Sequence, residues 1–198
     1  MNAEYEENSS DSHSWVHCPV LVSERLILRE PHIEDMDAIT KLANNRNVSA
    51  MLQKMPHPYT RKHAANFILR SVAGEFGYCV YAITLMDTGE FIGVCNLQTR
   101  EEGEGVEIGY WLGQPYWRKG YASEAVNALI DGAFRATELD TLCVASFSDN
   151  IASRRIIEKM GFRYINTSQR YSIVSGVRDT DHFVLQREEW LGLRSLVA

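Results

Sequence analysis

The 198-residue sequence has no long apolar run, no excess of basic charge and few cysteines. No apolar segment approaches the roughly 20 residues that a membrane-spanning helix requires, so no membrane segment is expected. Its 20 Lys and Arg residues against 26 Asp and Glu residues leave a net charge of -6, which disfavours general nucleic-acid binding. The start of the chain lacks a basic stretch followed by an apolar one, so no secretory signal is predicted.

The sequence contains four scattered cysteines, Cys18, Cys79, Cys95 and Cys143. No two of them stand at metal-ligand spacing, and the last three lie inside apolar, strand-like runs. We therefore predict reduced core cysteines, which favours a cytoplasmic protein. His13 and His17 precede the folded part, so no metal site is expected there or elsewhere.

Two regions differ in composition. Residues 1–17 are rich in Asn, Ser and Glu and are predicted to be a disordered acidic tail, whereas residues 18–198 are predicted to form one domain. Strand patterns occur near 20–30, 78–85, 91–99, 106–112, 141–147, 162–167 and 180–186, and helix patterns follow Ile33, Thr60, Gly120 and Asn150. Strands first, then alternating strands and helices, predict an α/β fold with a mixed sheet and helices on both faces.

A basic loop at 118–120 leads directly into an amphipathic helix. The apolar residues of that helix recur at helical spacing: Ala122, Ala125, Val126, Leu129, Ile130, Ala133 and Phe134. The first N–H groups of a helix have no intrahelical acceptor and its dipole is positive there, so the loop is suited to bind an anion. Gly120 permits close backbone approach, and Arg118 and Lys119 add charge. An ordinary strand-to-helix turn with a solvated basic pair is the alternative.

A second helix start follows the apolar strand at 141–147. Ser148, Asp149 and Asn150 are residue types that cap helix N-termini, and Gly161 is suited to end the helix in a left-handed conformation. The segment therefore predicts a short helix that begins at Asn150.

Together with residues 107–112, these two segments resemble the GCN5-related N-acetyltransferase (GNAT) superfamily, and within it the branch containing the ribosomal-protein alanine N-acetyltransferases. The acetyl-CoA loop of this superfamily carries Arg or Gln, then two residues, Gly, one residue, and Gly or Ala. In this chain Trp117, Gly120 and Ala122 stand at those places. Trp117 departs from the superfamily pattern, and Arg118 stands where a further Gly is common. The second motif is carried by Asn150, Ser153 and Gly161-Phe162. The resemblance covers about residues 21–188.

The resemblance implies a mostly antiparallel, splayed sheet that binds acetyl-CoA. The strand ending at Leu112 would diverge from the strand at 141–147, so that unpaired backbone groups bind the pantetheine arm and an N–H near Trp111 or Leu112 faces the thioester carbonyl. The residues expected to contact the cofactor are Tyr110, Trp111, Leu112, Arg118, Lys119, Gly120, Tyr121, Ala122, Ser123 and Asn150.

The resemblance also supplies two catalytic candidates. Glu107 is the candidate general base, with a solvated or structural carboxylate as the alternative because acidic residues precede it. Ser153 resembles the residue proposed in the ribosomal branch to protonate the leaving thiolate, with a hydrogen bond to coenzyme A as the alternative. Many superfamily members place a Tyr where this chain has Ile157, so Tyr110 and Tyr121 are reserve donors.

The predicted activity is transfer of an acetyl group from acetyl-CoA to a primary amine, foremost the N-terminal α-amine of a protein such as a ribosomal protein. A small-molecule amine (a polyamine, an amino acid or an antibiotic) and a non-catalytic acyl-CoA-binding protein remain alternatives. The resemblance implies an acceptor pocket built from the first two helices and the loop between the last strands, here around Met51–Tyr59 and Gln169–Asp179. The chain is expected to be a monomer or homodimer. The basic loop at 118–120 has no Gly-Lys-Ser/Thr sequence, which disfavours a phosphotransferase.

Overall fold

A computed structural model describes residues 18–100 and 105–195, so the predicted tail at 1–17 lies outside the described residues. The strands are β1 (Leu21–Val22), β2 (Leu26–Arg29), β3 (Gly77–Leu85), β4 (Phe91–Thr99), β5 (Val106–Leu112), β6 (Thr141–Phe147), β7 (Arg163–Ser172) and β8 (Gly176–Gln186). The helices are α1 (Met36–Ala43), α2 (Arg46–Ser49), α3 (Arg61–Val72), α4 (Tyr121–Ala136), α5 (Ile151–Lys159) and α6 (Arg187–Ser195). None of these helices is long and apolar enough to cross a membrane.

The strands form one eight-stranded sheet in the order β1-β2-β3-β4-β5-β6-β8-β7. Every neighbouring pair is antiparallel except β5 and β6, which are parallel. Only the first three residues of β5, up to Ile108, pair with β6, whereas the pairing of β5 with β4 continues to Leu112. The predicted mixed sheet is confirmed, and β5 and β6 separate beyond Ile108.

Helices cover both faces of the sheet, as the sequence predicts. The apolar stripe of α4, which includes Leu129 and Phe134, packs against one face in a core shared with β2 to β6. Ile39 of α1 and Ile68 of α3 pack against the other face. Successive strand residues alternate between these two cores, so each strand contributes side chains to both. Glu107 belongs to the α1 and α3 face, because its neighbours in β5, Val106 and Ile108, belong to the α4 core.

The last two strands are longer than predicted. The segment 169–179, predicted to be a loop, is mostly strand with a tip at 173–175, because β7 and β8 pair as far as Ser172 and Gly176. β7 is an edge strand with a largely exposed face, so polar residues are compatible with it. Their abundance obscured the strand pattern in the sequence. Helix α6 was not predicted either.

One cysteine prediction is wrong. Cys18 and Cys79 form a disulfide, whereas Cys95 and Cys143 are free and buried. The two partners are separated by 61 residues and become neighbours only when the segment before β1 lies beside β3. Their pairing removes the argument for a reducing compartment that rested on four free thiols.

Both ends of α4 are held by side chains from distant segments. At the C-terminal end, the Arg187 guanidinium donates to the carbonyls of Phe134, Thr137 and Leu139 at 2.6 to 2.9 Å. At the N-terminal end, Glu124 accepts hydrogen bonds from the Ser23 hydroxyl at 2.8 Å and from the Arg25 backbone N–H and Nε at 2.7 Å each. These contacts fix the position of the basic loop relative to the sheet.

Replacing Glu124 with Ala should lower the free energy of unfolding by about 2 kcal/mol, because three hydrogen bonds to a largely buried carboxylate are lost. Burial raises the pKa of Glu124, but the bonds from Ser23 and Arg25 outweigh burial and lower it. This contribution is therefore present above the unfolded-state pKa and is lost as pH falls through the folded-state value.

Urea denaturation at neutral and acidic pH measures both effects of Glu124→Ala. Glu158→Ala is the matched control, because Glu158 forms an exposed ion pair with Arg154 within α5 and should change stability by less than about 0.5 kcal/mol. Equal losses in the two variants would contradict the anchoring role of Glu124.

Candidate active site

One cavity of about 1190 Å³ follows the separation of β5 and β6. It extends from the N-terminus of α4 to the sheet face that carries Glu107. Most of the predicted site residues line it: Glu107, Tyr110, Trp111, Leu112, Arg118, Gly120, Tyr121, Ala122, Ser123, Asn150 and Ser153. Lys119 is not among the lining residues; its ammonium lies 5.7 Å from the centroid of the Tyr116 ring. The fold therefore brings together every predicted site residue except Lys119.

The loop before α4 has a left-handed backbone at two positions. Arg118 has φ of 61° and Gly120 has φ of 83°. Gly120 adopts this conformation without steric cost. Arg118 adopts it at a position where the corresponding loops of the superfamily commonly have Gly. The turn leaves the first N–H groups of α4 at the cavity wall, where Tyr121, Ala122 and Ser123 lie. This end of the cavity is built to accept an anion.

Trp117 and Arg25 brace this loop. The Trp117 indole N–H donates to the Leu112 carbonyl at 2.8 Å, so the departure from the superfamily pattern ties the loop to the end of β5. The Arg25 guanidinium lies 4.6 Å from the centroid of the Tyr121 ring and donates to the Lys119 carbonyl at 3.1 Å. A Cβ atom at Gly120 would lie 3.2 Å from Arg25 Nη2, so the turn leaves little room for a side chain.

The backbone of β5 offers donors to the gap beside β6. Gly113 donates its N–H to the Ile92 carbonyl of β4 at 2.9 Å. Because backbone groups alternate in direction along a strand, Trp111 also faces β4, and Tyr110 and Leu112 face the gap. The Leu112 carbonyl accepts a hydrogen bond from the Trp117 indole, and by the same alternation the Leu112 N–H faces the gap. Of Trp111 and Leu112, only Leu112 therefore has its N–H on the side of the gap.

Ser153 and Tyr110 form a hydrogen-bonded pair across the gap. Their hydroxyl oxygens are 2.8 Å apart, and the Ser153 backbone N–H donates to Asn150 Oδ1 at 3.2 Å. Asn150 therefore caps α5 and orients Ser153. Burial raises the pKa of Tyr110 to about 12, although its hydrogen bond to Ser153 opposes the shift. Tyr110 consequently keeps its proton at neutral pH and remains a donor.

Glu107 lies beside Arg170, a residue that the sequence analysis did not select. Arg170 Nη1 is 3.7 Å from Glu107 Oε1, and the side chains are only 8% and 12% exposed, respectively. Both residues line the cavity, and Arg170 Nη2 is buried without a hydrogen-bond partner among the residues that the structure describes. Arg170 belongs to β7 and falls in the segment that was predicted to be a loop, so no periodic pattern marked it.

The two segments expected to form the acceptor pocket are in contact. The tip of the β7–β8 hairpin hydrogen-bonds to the loop after α2: the Ile173 N–H donates to Gln53, the Ser172 hydroxyl to Leu52 and the Ser175 hydroxyl to Ala50, all to backbone carbonyls at 2.8 to 3.0 Å. Met51, Leu52 and Met55 line the adjoining end of the cavity. These three residues line the same cavity as Glu107 and Arg170.

The charges along the cavity favour anionic over polycationic ligands. Its described lining includes four cationic residues, Lys54, Arg118, Arg155 and Arg170, and two carboxylates, Glu107 and Asp149. Among residues 18–100 and 105–195, no cluster of three or more His, Cys, Asp or Glu side chains could hold a metal ion.

Comparisons with known proteins show the family of this chain. The profile of the acetyltransferase (GNAT) domain matches residues 25–163. The uncharacterized N-acetyltransferase p20 of Bacillus licheniformis is 29% identical over 180 residues, which cover 87% of this chain and 98% of p20.

Solved structures share the fold. A GNAT-family acetyltransferase from Bacillus anthracis has a TM-score of 0.75 at 22% identity and covers 86% of this chain and 99% of its own. RimL, a ribosomal L7/L12 α-N-protein acetyltransferase solved in complex with coenzyme A, has a TM-score of 0.74 at 19% identity and covers 85% and 98%.

Proposed function

The chain belongs to the GNAT acetyltransferase family, and we propose that it moves the acetyl group of acetyl-CoA to a primary amine, with the N-terminal α-amine of a protein as the leading acceptor. The observation that carries this proposal is the single cavity that connects the anion-binding turn before α4, through the gap between β5 and β6, to Glu107. RimL acts on the ribosomal protein L7/L12 and its structure contains coenzyme A, which supports the cofactor and the acceptor class.

The binding roles follow from the turn and the gap. The first N–H groups of α4 hold the diphosphate, and Arg118 adds a cation at the cavity mouth. The free backbone groups of Tyr110 face the pantetheine arm in the gap. The Leu112 N–H donates to the acetyl oxygen and stabilises the charge that develops there. Acetyl-CoA supplies the thioester, so the protein needs to place an amine, accept protons from its nitrogen and protonate the departing thiolate.

Protons move on both sides of the gap. On the acceptor face, Glu107 accepts the proton of the incoming ammonium, directly or through a water, and the nitrogen loses its second proton to water after it has attacked the thioester. On the other side, Ser153 donates a proton to the departing thiolate, Tyr110, hydrogen-bonded to it at 2.8 Å, replaces that proton, and solvent returns a proton to Tyr110. Because the pKa of Tyr110 is raised to about 12, the pair stays protonated throughout the neutral range.

Thiol release from acetyl-CoA with a panel of amines tests the proposed function. The panel contains short peptides with free N-termini, the same peptides with blocked N-termini, polyamines and aminoglycosides. We expect thiol release with the free peptides and none with the blocked ones, accompanied by a mass increase of one acetyl group. Tight acetyl-CoA binding without turnover on any amine would instead indicate an acyl-CoA-binding protein.

Replacing Ser153 with Ala should lower turnover at saturating acetyl-CoA about tenfold, because the leaving thiolate loses its donor. Tyr110→Phe removes only the hydroxyl behind Ser153 and should reduce turnover by a smaller factor in the same direction. Steady-state kinetics with acetyl-CoA varied separates the roles. If Ser153→Ala raises only the Michaelis constant for acetyl-CoA, Ser153 is a binding contact and not an acid.

A further inference from the structure

Arg170 is a buried cation whose partners in the structure do not use its full donor set. A guanidinium presents five N–H donors, and a buried donor without an acceptor costs free energy. Arg170 Nη1 faces Glu107 at 3.7 Å, which is an ion pair too long for a hydrogen bond. Within the described ranges, 18–100 and 105–195, Arg170 Nη2 has no hydrogen-bond partner, although the side chain is only 8% exposed. A buried donor retained in this way inside a cavity indicates an acceptor atom supplied by a ligand.

The position of Arg170 identifies which ligand supplies that atom. The diphosphate site lies at the N-terminus of α4, whereas Arg170 lies on the sheet face of Glu107, beside the wall made by the loop after α2. The oxygen that accepts a hydrogen bond from Arg170 is therefore part of the molecule that receives the acetyl group. Because Glu107 is the proposed base, the amine and this oxygen must sit side by side.

We propose that Arg170 recognises the carbonyl or carboxylate oxygen next to the reacting amine, so that the acceptor is an α-amino carbonyl compound: an amino acid or the first residue of a peptide. In such a unit the amine nitrogen and the carbonyl oxygen are about 3 Å apart by standard bond lengths. This separation matches two side chains whose nearest charged atoms are 3.7 Å apart. The inference rests on the proposed transfer function and deepens it.

This role of Arg170 disfavours acceptors without an oxygen beside the amine. Besides the reacting amine, a polyamine carries a further cationic amine, which Arg170 and the other basic residues of the cavity would repel. A simple alkylamine would reach Glu107 but leave Arg170 Nη2 unpaired. A site built to hydrogen-bond a substrate group discriminates strongly against the analogue that lacks it.

A matched series of acceptors tests the proposal: phenylalaninamide, phenylalanine and 2-phenylethylamine carry the same ring and amine, with an amide, a carboxylate or no carbonyl group. Alanine, lysine and their corresponding amides and amines extend the series to other side chains. We expect the wild-type protein to prefer the carbonyl-bearing amines in kcat/KM. Arg170→Gln should reduce that preference about tenfold or more, and Arg170→Lys should reduce it less. Preference for the amide over the free acid assigns peptide N-termini as acceptors, and the reverse assigns free amino acids.

Arg178→Gln is the matched control. Arg178 faces Arg170 in the register of β7 and β8, is not among the cavity-lining residues and pairs with Asp149. It should leave the preference ratio unchanged, and thermal unfolding of all three variants shows whether they fold. Because the ratio compares two amines on the same protein, a general loss of activity cancels.

The outcomes separate the two proposals. An equal preference ratio in the wild type and in Arg170→Gln overturns the role of Arg170 while leaving the acetyltransferase activity in place. Absence of acetylation of every amine, despite acetyl-CoA binding, overturns the proposed function and the inference with it. Loss of the preference in Arg170→Gln but not in Arg178→Gln supports the inference.

Discussion

Replacing Glu107 with Gln should lower turnover about 100-fold or more while leaving acetyl-CoA affinity nearly unchanged. Gln keeps the size of the side chain and its ability to bind the acceptor, but it cannot take the ammonium proton. The separation of effects follows from position, because Glu107 lies on the acceptor face and the anion-binding turn lies at the far end of the cavity. Steady-state turnover and calorimetry with acetyl-CoA measure the two quantities independently.

The loss of turnover should be specific to the position of Glu107. Glu189→Gln is a matched control: Glu189 also pairs with an arginine, Arg163, but belongs to α6 outside the cavity. Near wild-type turnover in Glu107→Gln would show that the proton leaves without Glu107.

Replacing Gly120 with Val should weaken acetyl-CoA binding by a factor of 10 or more. The left-handed backbone conformation at φ of 83° costs a β-branched residue about 1 to 2 kcal/mol of conformational free energy. Its Cβ would also lie 3.2 Å from Arg25 Nη2, in the turn that the diphosphate must approach. Calorimetric titration with acetyl-CoA measures the loss.

Two controls isolate the anchor from backbone strain. Gly89→Val creates the same strain at φ of 71° in the turn between β3 and β4, where no atom lies within 4 Å of a Cβ, so it should lower stability without changing affinity. Lys119→Ala removes an exposed charge outside the cavity lining and should cost about 1 kcal/mol at most. Unchanged affinity in Gly120→Val would remove the turn from the binding site.

The end of the cavity at α4 was predictable because its parts are local. Gly120 is adjacent in sequence to the first residues of α4, and Asn150 lies close to Ser153 at the start of α5, so helix geometry places the backbone groups of each segment without reference to the rest of the fold. The resemblance to the superfamily selected Ser153. Only the fold brings the two helix starts together along one cavity.

The acceptor end was only partly predictable because it is assembled from segments distant in sequence. Arg170 occupies an edge strand of polar composition, and neither hydrophobic periodicity nor a motif distinguishes it from a solvated arginine. Its burial, its distance from Glu107 and its unpartnered nitrogen exist only after β7, β8 and β6 have paired in that order. The same limitation applies to the Cys18–Cys79 disulfide.

The sequence by itself determined the mixed sheet and a turn suited to an anion, because helix periodicity, capping and loop chemistry are encoded by neighbouring residues. The family was indicated by the resemblance of the motifs at 107–112, 117–122 and 150–162. Only the tertiary structure decided which backbone N–H of β5 faces the gap, which hydroxyl supports Ser153 and which cation lies beside Glu107. Those facts depend on strand register and on contacts between segments far apart in the chain, where a one-residue shift would turn each side chain to the opposite face.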